Sequence, residues 1–134
     1  MTSNIELENM AKTLGFPNFY VLMKDELKNF TKIDYPLNLI IGSKNSNESD
    51  EYNHWTLCYV DDKQKIYYSS FGDKIPLEVK DFLFKLDNRF ILTSDFQIQD
   101  WNETTCGQYC ICILFLINHG MKFEVIILCL FNFK

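Results

Sequence analysis

A cysteine followed by a glycine, Cys106-Gly107, stands at the head of an apolar run that extends to Ile117. This placement predicts a thiol at a helix N-terminus, where the helix dipole and free backbone N–H groups stabilise a thiolate. The small Gly107 would leave room for a substrate backbone to approach the sulfur. Cys106 is therefore the candidate nucleophile of an acyl-transfer enzyme, against the alternative of a small buried thiol. That alternative fits the other cysteines near the C-terminus well: Cys110, Cys112 and Cys129.

A histidine that could accept the thiol proton lies upstream, where the polar loop Ser43–Asn53 meets an apolar strand. Such boundaries often carry site residues, although a lone His54 could equally be a hydrogen-bonded structural residue. The other histidine, His119, follows Cys106 by more than three helical turns, which places it far from the thiol. His54 is therefore the candidate base. Trp55, next to it, could form a wall of the site or pack in the core.

An amide that could donate to an oxyanion belongs to Gln99, seven residues before Cys106. The intervening loop is long enough to bring this amide beside the sulfur. Gln97 is two residues earlier and would share the same strand face, so position alone does not choose between the two glutamines. Both also fit the simpler interpretation of solvated strand residues.

The elements that would position these groups follow from caps, turns and apolar periodicity. We predict helices, strands and a hairpin in this order: a helix from a capping box at Ser3–Glu6 to Gly15, a short helix at Lys24–Phe30, a strand at Leu37–Ile41, a hairpin of His54–Val60 and Lys65–Phe71, a helix at Pro76–Leu86, strands at Phe90–Thr93 and Phe96–Gln99, a helix from Cys106 and a helix at Phe123–Phe131. This order predicts an α+β fold in which a mostly antiparallel central sheet packs against helices. We expect one domain over residues 1–134.

The composition of the chain limits the classes of partner and cofactor that it is expected to bind. The chain has 134 residues, a net charge of −5 and no basic cluster, so nucleic acid is not expected as a primary partner. Five cysteines and no signal-peptide pattern favour a reducing, intracellular setting. Two histidines and no paired Cys-x-x-Cys motif argue against a metal, and no cofactor is expected. Asn118-His119-Gly120 divides the apolar C-terminal quarter, so we predict two core helices and no membrane span. We also expect a monomer.

Four motifs in this order resemble the adenovirus-type maturation cysteine proteases: His54-Trp55, Tyr67-Tyr68-Ser69-Ser70-Phe71-Gly72, Gln99 and Cys106-Gly107-Gln108-Tyr109-Cys110. That group is related to the Ulp1-like desumoylating proteases and has homologues in virophages and Polinton-like elements. The segment Phe19–Leu27 resembles the same group, and the likeness extends over roughly Asn18–Leu130. The resemblance implies an adenain/Ulp1-like fold, with Cys106 as nucleophile, His54 as general base and Gln99 in the oxyanion hole.

One position departs from the family pattern. Members usually carry an acid in the strand after the histidine, and Ser69 stands in its place. The acid accepts the imidazole Nδ1–H and stabilises the imidazolium, whereas a serine hydroxyl accepts the bond without adding charge. Asp61 and Asp62 lie in the predicted hairpin turn, too far along the strand to substitute. Asp73 could do so only by folding back after Gly72. We therefore expect reduced activity.

These features lead to one principal functional hypothesis and two alternatives. The principal hypothesis is an endopeptidase that cleaves capsid or other virion precursors, acting in the host cytoplasm or nucleus and in the virion, with Trp55 and Gly107 lining a narrow substrate groove. The first alternative is a deconjugase for a ubiquitin-like modifier. The second is a pseudo-protease that binds partners, because Ser69 replaces the acid. Activity created by Ser69→Asp would favour the pseudo-protease, whereas a working protease would gain only modestly.

Overall fold

A computed structural model describes residues 2–48, 53–100 and 103–132. Its elements are these: α1 Asn4–Leu14, β1 Phe19–Met23, a 3₁₀ helix Lys24–Asn29, β2 Leu37–Gly42, β3 Trp55–Val60, β4 Lys65–Tyr68, α2 Leu77–Leu86, β5 Ile91–Leu92, α3 Cys106–Asn118 and α4 Phe123–Asn132. Parts of two predicted polar loops, residues 49–52 and 101–102, lie outside the described residues.

The five strands form one sheet in the order in which they occur in the chain. The central strands β2, β3 and β4 are antiparallel neighbours, and Leu57 lies opposite Tyr68 in the β3–β4 hairpin. The edge strands β1 and β5 run parallel to their neighbours β2 and β4. The predicted α+β class with an antiparallel centre is therefore confirmed.

Both faces of the sheet are covered, which explains why its central strands are almost continuously apolar. One face packs on α1, α3 and α4 through side chains such as Ile40, Leu57 and Ile66. The opposite face packs on α2 and the 3₁₀ helix through Leu39 and Val60. Because α3 lies between the sheet and two other helices, it is apolar on nearly all sides.

The helix termini follow the local sequence signals. The Ser3 hydroxyl accepts the Glu6 N–H and the Glu6 carboxylate accepts the Ser3 N–H, so the predicted capping box is confirmed. Gly15 ends α1 in the left-handed conformation with φ +74°. Pro76 is the N-cap of α2 rather than its first helical residue.

Three predicted boundaries were wrong. The apolar segment Phe19–Met23 is strand β1, although no strand was predicted before Leu37; an unalternating run of this length carries no clear period. Phe96–Gln99 is not a strand, because the N–H groups of Ile98 and Gln99 both donate to one carbonyl, that of Ser70. The chain leaves β4 at Tyr68, earlier than predicted, because it turns at Ser69–Gly72.

Within residues 2–48, 53–100 and 103–132, no helix combines the length and apolar character that crossing a bilayer requires.

Candidate active site

Cys106 is the first residue of α3, and its side chain lies between this helix and the sheet. The Trp55 N–H donates to the Cys106 Sγ over 3.4 Å. On the next turn of the helix, the Cys110 thiol donates to the Trp55 carbonyl, also over 3.4 Å. Since Trp55 directly follows His54, these contacts hold the Cys106 sulfur against the main chain one residue from the histidine. Cys106 itself is 4% exposed.

The His54 main chain is fixed by the end of β2. The Ser43 N–H donates to the His54 carbonyl over 3.0 Å, and the His54 N–H donates to the Ser43 hydroxyl over 3.2 Å. The imidazole stacks on the Phe71 ring with the centroids 4.5 Å apart. Burial lowers the pKa of His54 from its ordinary value, and the nearby Asp73 carboxylate partly opposes this shift. Burial therefore favours the neutral ring, which is the form able to accept a proton.

Ser69 contacts His54, but at a different ring atom from the one predicted. The Ser69 Oγ lies 2.9 Å from His54 Nε2, so the expectation that this residue would contact Nδ1 was wrong. Ser69 is fully buried at the end of β4. His54 Nδ1 is also buried and has no hydrogen-bond partner within the described part of the chain. The ring is held at one nitrogen, which leaves the other for chemistry.

Asp73 folds back onto this pair, as its position after Gly72 allows. The Gly72 N–H donates to the Ser69 carbonyl over 2.8 Å, and Gly72 adopts φ +73°. The turn brings Asp73 Oδ2 to 3.2 Å from Ser69 Oγ and to 3.9 Å from His54 Nε2. Position 69 lacks a carboxylate, but the carboxylate of Asp73, four residues later, lies beside Ser69 and His54. The signal in the sequence was a turn-forming glycine directly before an aspartate.

Gln99 is fully buried, and its amide is held at both ends. Its Nε2 donates to the Glu103 carbonyl over 2.9 Å, and its Oε1 accepts the Ser70 hydroxyl. Ser70 is adjacent in sequence to Ser69, and Glu103 precedes Cys106 by three residues. Gln97 is only half-buried and donates to the Gln99 carbonyl over 2.9 Å. The structure therefore distinguishes two glutamines that the sequence left equivalent, and Ser70 is a supporting residue that sequence reasoning missed.

Trp55 and Gly107 are not open to a substrate in this structure. The Trp55 indole N–H donates to the Thr2 carbonyl over 2.9 Å, and Trp55 is 1% exposed. A Cβ on Gly107 would lie 2.9 Å from Leu7 Cδ2 and 3.2 Å from Thr2 Cβ. The space expected beside Gly107 is therefore filled by α1 and the residue that precedes its cap. Sequence reasoning missed this contact, because nothing in the sequence links Thr2 to a tryptophan so distant in the chain.

His119 caps the opposite end of α3, where its Nδ1 lies 2.8 Å from the Phe115 carbonyl oxygen. The structure thus brings together His54, Ser69 and Asp73 by direct contacts and joins Cys106 to them through Trp55. It excludes His119 from the group.

Comparisons with known proteins bear on the fold. No protein-family model and no curated protein matches the chain. The selenomethionine crystal structure of the ASFV pS273R protease is similar, with a TM-score of 0.63 and 14% sequence identity. The match covers 95% of this chain but 61% of that protein, so this chain spans less than two thirds of its length. At this identity the match establishes a shared fold: the chain has the α+β fold of a solved protease.

Proposed function

We propose that this chain is a cysteine endopeptidase that cleaves precursor proteins of a virion or mobile element. The observation that carries the proposal is the thiol of Cys106 at a helix N-terminus, held by the N–H of Trp55, the residue that follows the half-buried His54. The shared fold with a protease supports it, and the resemblance to adenovirus-type maturation enzymes indicates the substrate class. We further propose that it acts as a monomer inside the host cell and in the virion.

The proposed reaction uses the groups in the following order. His54 Nδ1, which has no hydrogen-bond partner among the described residues, takes the proton of the Cys106 thiol. The thiolate attacks the scissile carbonyl, and the carbonyl π electrons move onto the oxygen. The second N–H of the Gln99 amide and the Cys106 backbone N–H stabilise that oxyanion. The imidazolium then gives its proton to the amine nitrogen as the oxyanion electrons re-form the C=O bond. The C–N bond breaks, the amine leaves and a thioester remains.

Hydrolysis completes the cycle with the same residues. His54 Nδ1 removes a proton from water, and the resulting hydroxide attacks the thioester carbonyl. Collapse of the intermediate breaks the C–S bond, releases the carboxylic acid and returns the proton to the system of Cys106 and His54. Because Cys106 is almost fully buried, a substrate must displace the atoms that cover the sulfur before the first step of the reaction.

The first test measures Cys106 reactivity, which needs no known substrate. The labelling rate of Cys106 by iodoacetamide is followed from pH 5 to pH 9 by peptide mass spectrometry, in the natural chain and in His54→Ala. An ordinary thiol has a pKa of about 8.5. We expect labelling that persists below pH 7 in the natural chain and follows ordinary thiol titration in His54→Ala. Rates are compared within each protein, so the burial of the sulfur affects all points alike.

The control for this measurement is His119→Ala, which removes the other histidine without touching the site. Identical profiles for the natural chain and His54→Ala would contradict the proposed base. The result would then favour a pseudo-protease that binds partners through its inherited surface.

A second test identifies the substrate class. The protein is incubated with a proteome-derived peptide library, and new termini are identified by mass spectrometry against a Cys106→Ala control. In parallel, ubiquitin-like modifiers that carry a C-terminal electrophile are offered to the protein. New internal cuts that Cys106→Ala lacks support the endopeptidase. Modifier adducts on Cys106 without such cuts would identify a deconjugase instead.

A further inference from the structure

We propose that Asp73 is a positioning residue that acts through the Ser69 hydroxyl to keep the proton of neutral His54 on Nε2. This leaves the lone pair on Nδ1, and its catalytic consequence rests on the proposed function. The family resemblance placed an acid at position 69 and assigned no role to position 73. In this chain Asp73 supplies the negative charge, and Ser69 supplies the hydrogen bond to His54.

Counting hydrogens carries the argument. A serine hydroxyl has one hydrogen to donate and two lone pairs that accept. An ionised carboxylate only accepts, so the Ser69 hydrogen points to Asp73 Oδ2, 3.2 Å away. The Ser69 oxygen therefore accepts from its other neighbours, the Phe71 N–H at 3.3 Å and His54 Nε2 at 2.9 Å. Nε2 can donate only if it carries the proton, which makes Nδ1 the basic nitrogen.

Nδ1 is the atom that the proposed reaction requires to be unprotonated. It is buried, and no described residue offers it a hydrogen bond. If Asp73 were neutral or absent, the Ser69 hydrogen could turn toward Nε2 instead, and the proton of the neutral ring would move to Nδ1. Asp73 thus selects between a histidine that can take the thiol proton and one that cannot.

Other charges near His54 do not supply this selection. Lys24 and Lys74 line the same cavity of about 150 Å³ as His54 and Asp73. Both lysines are cationic, and Lys24 lies 3.8 Å from Glu78. Neither can accept the Ser69 hydrogen. The Asp73 side chain is 48% exposed, so solvent screens its charge and its effect is moderate.

This arrangement changes the outcome expected for Ser69→Asp. A carboxylate at position 69 would lie close to the Asp73 carboxylate, because the present oxygens are 3.2 Å apart. Two carboxylates at that separation do not both ionise readily. Introducing the family's usual acid should therefore help less when Asp73 is present than when it is replaced by Asn.

The test is a double-mutant cycle of Ser69→Asp and Asp73→Asn, read by ¹⁵N NMR of the histidine rings. The chain has two histidines, so His119 serves as an internal reference. We expect neutral His54 to carry its proton on Nε2 in the natural chain. In Asp73→Asn the Nε2–H fraction should fall, and His54 should titrate at lower pH, because the anion that favours its protonated form is gone. Asp62→Asn, the same change in the exposed β3–β4 turn, should alter neither property.

The cycle decides the proposal independently of enzymatic activity. We expect Ser69→Asp to raise the titration pH of His54 more in the Asp73→Asn background than in the natural one. Additive shifts, or an Asp73→Asn protein whose His54 tautomer is unchanged, would overturn the proposal. Cys106 alkylation at pH 6, measured on the same proteins, should slow about twofold to fivefold in Asp73→Asn. Ordinary thiol titration in the natural chain, together with the expected NMR result, would reject the protease and retain the role of Asp73.

Discussion

Hydrogen bonds fix both the amide of Gln99 and the imidazole of His54. Within the described part of the chain, these bonds leave one amide N–H of Gln99 and one ring nitrogen of His54 without a partner. Gln99 donates one of its two N–H groups to Glu103 and accepts from Ser70. His54 is held at Nε2 and keeps Nδ1 without a partner among the described residues. The remaining N–H of Gln99 and Nδ1 of His54 are the groups that the proposed mechanism uses. The hydrogen-bond network therefore orients each group before a substrate arrives.

Replacing Gln99 should remove turnover without changing the reactivity of the thiol. In Gln99→Ala we expect a loss of about 10²–10³ in kcat on a peptide cleaved in the library experiment, because one oxyanion donor is gone. The pH profile of Cys106 alkylation should stay unchanged, since alkylation forms no oxyanion. Gln97→Ala is the matched control and should retain most activity. A loss in Gln97→Ala equal to that in Gln99→Ala would assign the role to neither residue specifically.

The sequence could place Cys106 at a helix start and His54 at a loop-to-strand boundary, because both leave local signals. It was insufficient for Asp73. The distance between Asp73 and Ser69 depends on a turn that packs against Asp95, far along the chain. The same limit explains why the contact between Ser69 and His54 was predicted at Nδ1 but lies at Nε2. Which imidazole atom Ser69 meets depends on how β3 and β4 pair, and the order of residues does not contain that information.

At the scale of backbone elements, the turn after β4 brings Asp73 into the candidate site. It leaves the strand at Ser69, reverses at Gly72 and returns Asp73 to the hydroxyl it contacts. A Cβ on Gly72 would lie 2.4 Å from the Asp95 carbonyl oxygen, so the turn is also packed against the segment leading to Gln99. Only glycine satisfies both the positive φ and this close approach.

Gly72→Ala and Gly15→Ala form a matched pair that separates these two requirements. Both residues have nearly equal positive φ, +73° and +74°, but nothing lies within 4 Å of a Cβ at Gly15. Gly15→Ala should cost about 1–2 kcal/mol in the free energy of unfolding from the backbone conformation alone. Gly72→Ala should cost about 1–3 kcal/mol more from overpacking. Urea denaturation measures both, and equal costs would mean that the Asp95 contact yields without penalty.

At the scale of the whole molecule, a buried lysine at the start of β4 joins the sheet to α2, which covers the face of the sheet opposite α3. Lys65 Nζ donates to the Leu83 carbonyl over 2.9 Å and to the Asp87 carbonyl over 3.0 Å, and it lies 3.1 Å from Asp87 Oδ1. A hydrogen bond from Arg89 is the main cause that lowers the pKa of Asp87, so this carboxylate stays charged. The contacts join the central sheet to the end of α2, on the face opposite α3.

Lys65→Met should destabilise the protein without altering the candidate site. Removing the ammonium leaves the buried Leu83 carbonyl without this donor, whereas Asp87 keeps its ion pair with Arg89. An unsatisfied buried acceptor costs about 1–3 kcal/mol. Lys63→Met, in the exposed turn two residues earlier, should change stability by no more than about 0.5 kcal/mol. Thermal unfolding of both variants tests the difference. A Lys65→Met protein as stable as Lys63→Met would show that apolar packing fully replaces the ion pair.

The architecture was largely predictable, because helix caps, the central hairpin and the mostly apolar central strands have strong local patterns. The parallel edges were not. Strand β1 has half-buried residues throughout, and β5 has two residues, so neither shows the alternation that identifies a strand. Their pairing joins segments that are distant in the sequence, so it depends on the complete fold.

The hydrogen bond from Trp55 to the Thr2 carbonyl has a practical consequence for handling the protein. Thr2 is buried against Trp55 and Gly107, each adjacent in sequence to a proposed reacting residue. Any affinity tag or fusion partner joined ahead of Thr2 must therefore emerge beside the nucleophile, where its linker can obstruct the thiol or pull α1 from α3. Recombinant protein for kinetics should carry its tag after α4, and an N-terminally tagged preparation should be compared with it before inactivity is attributed to the natural chain.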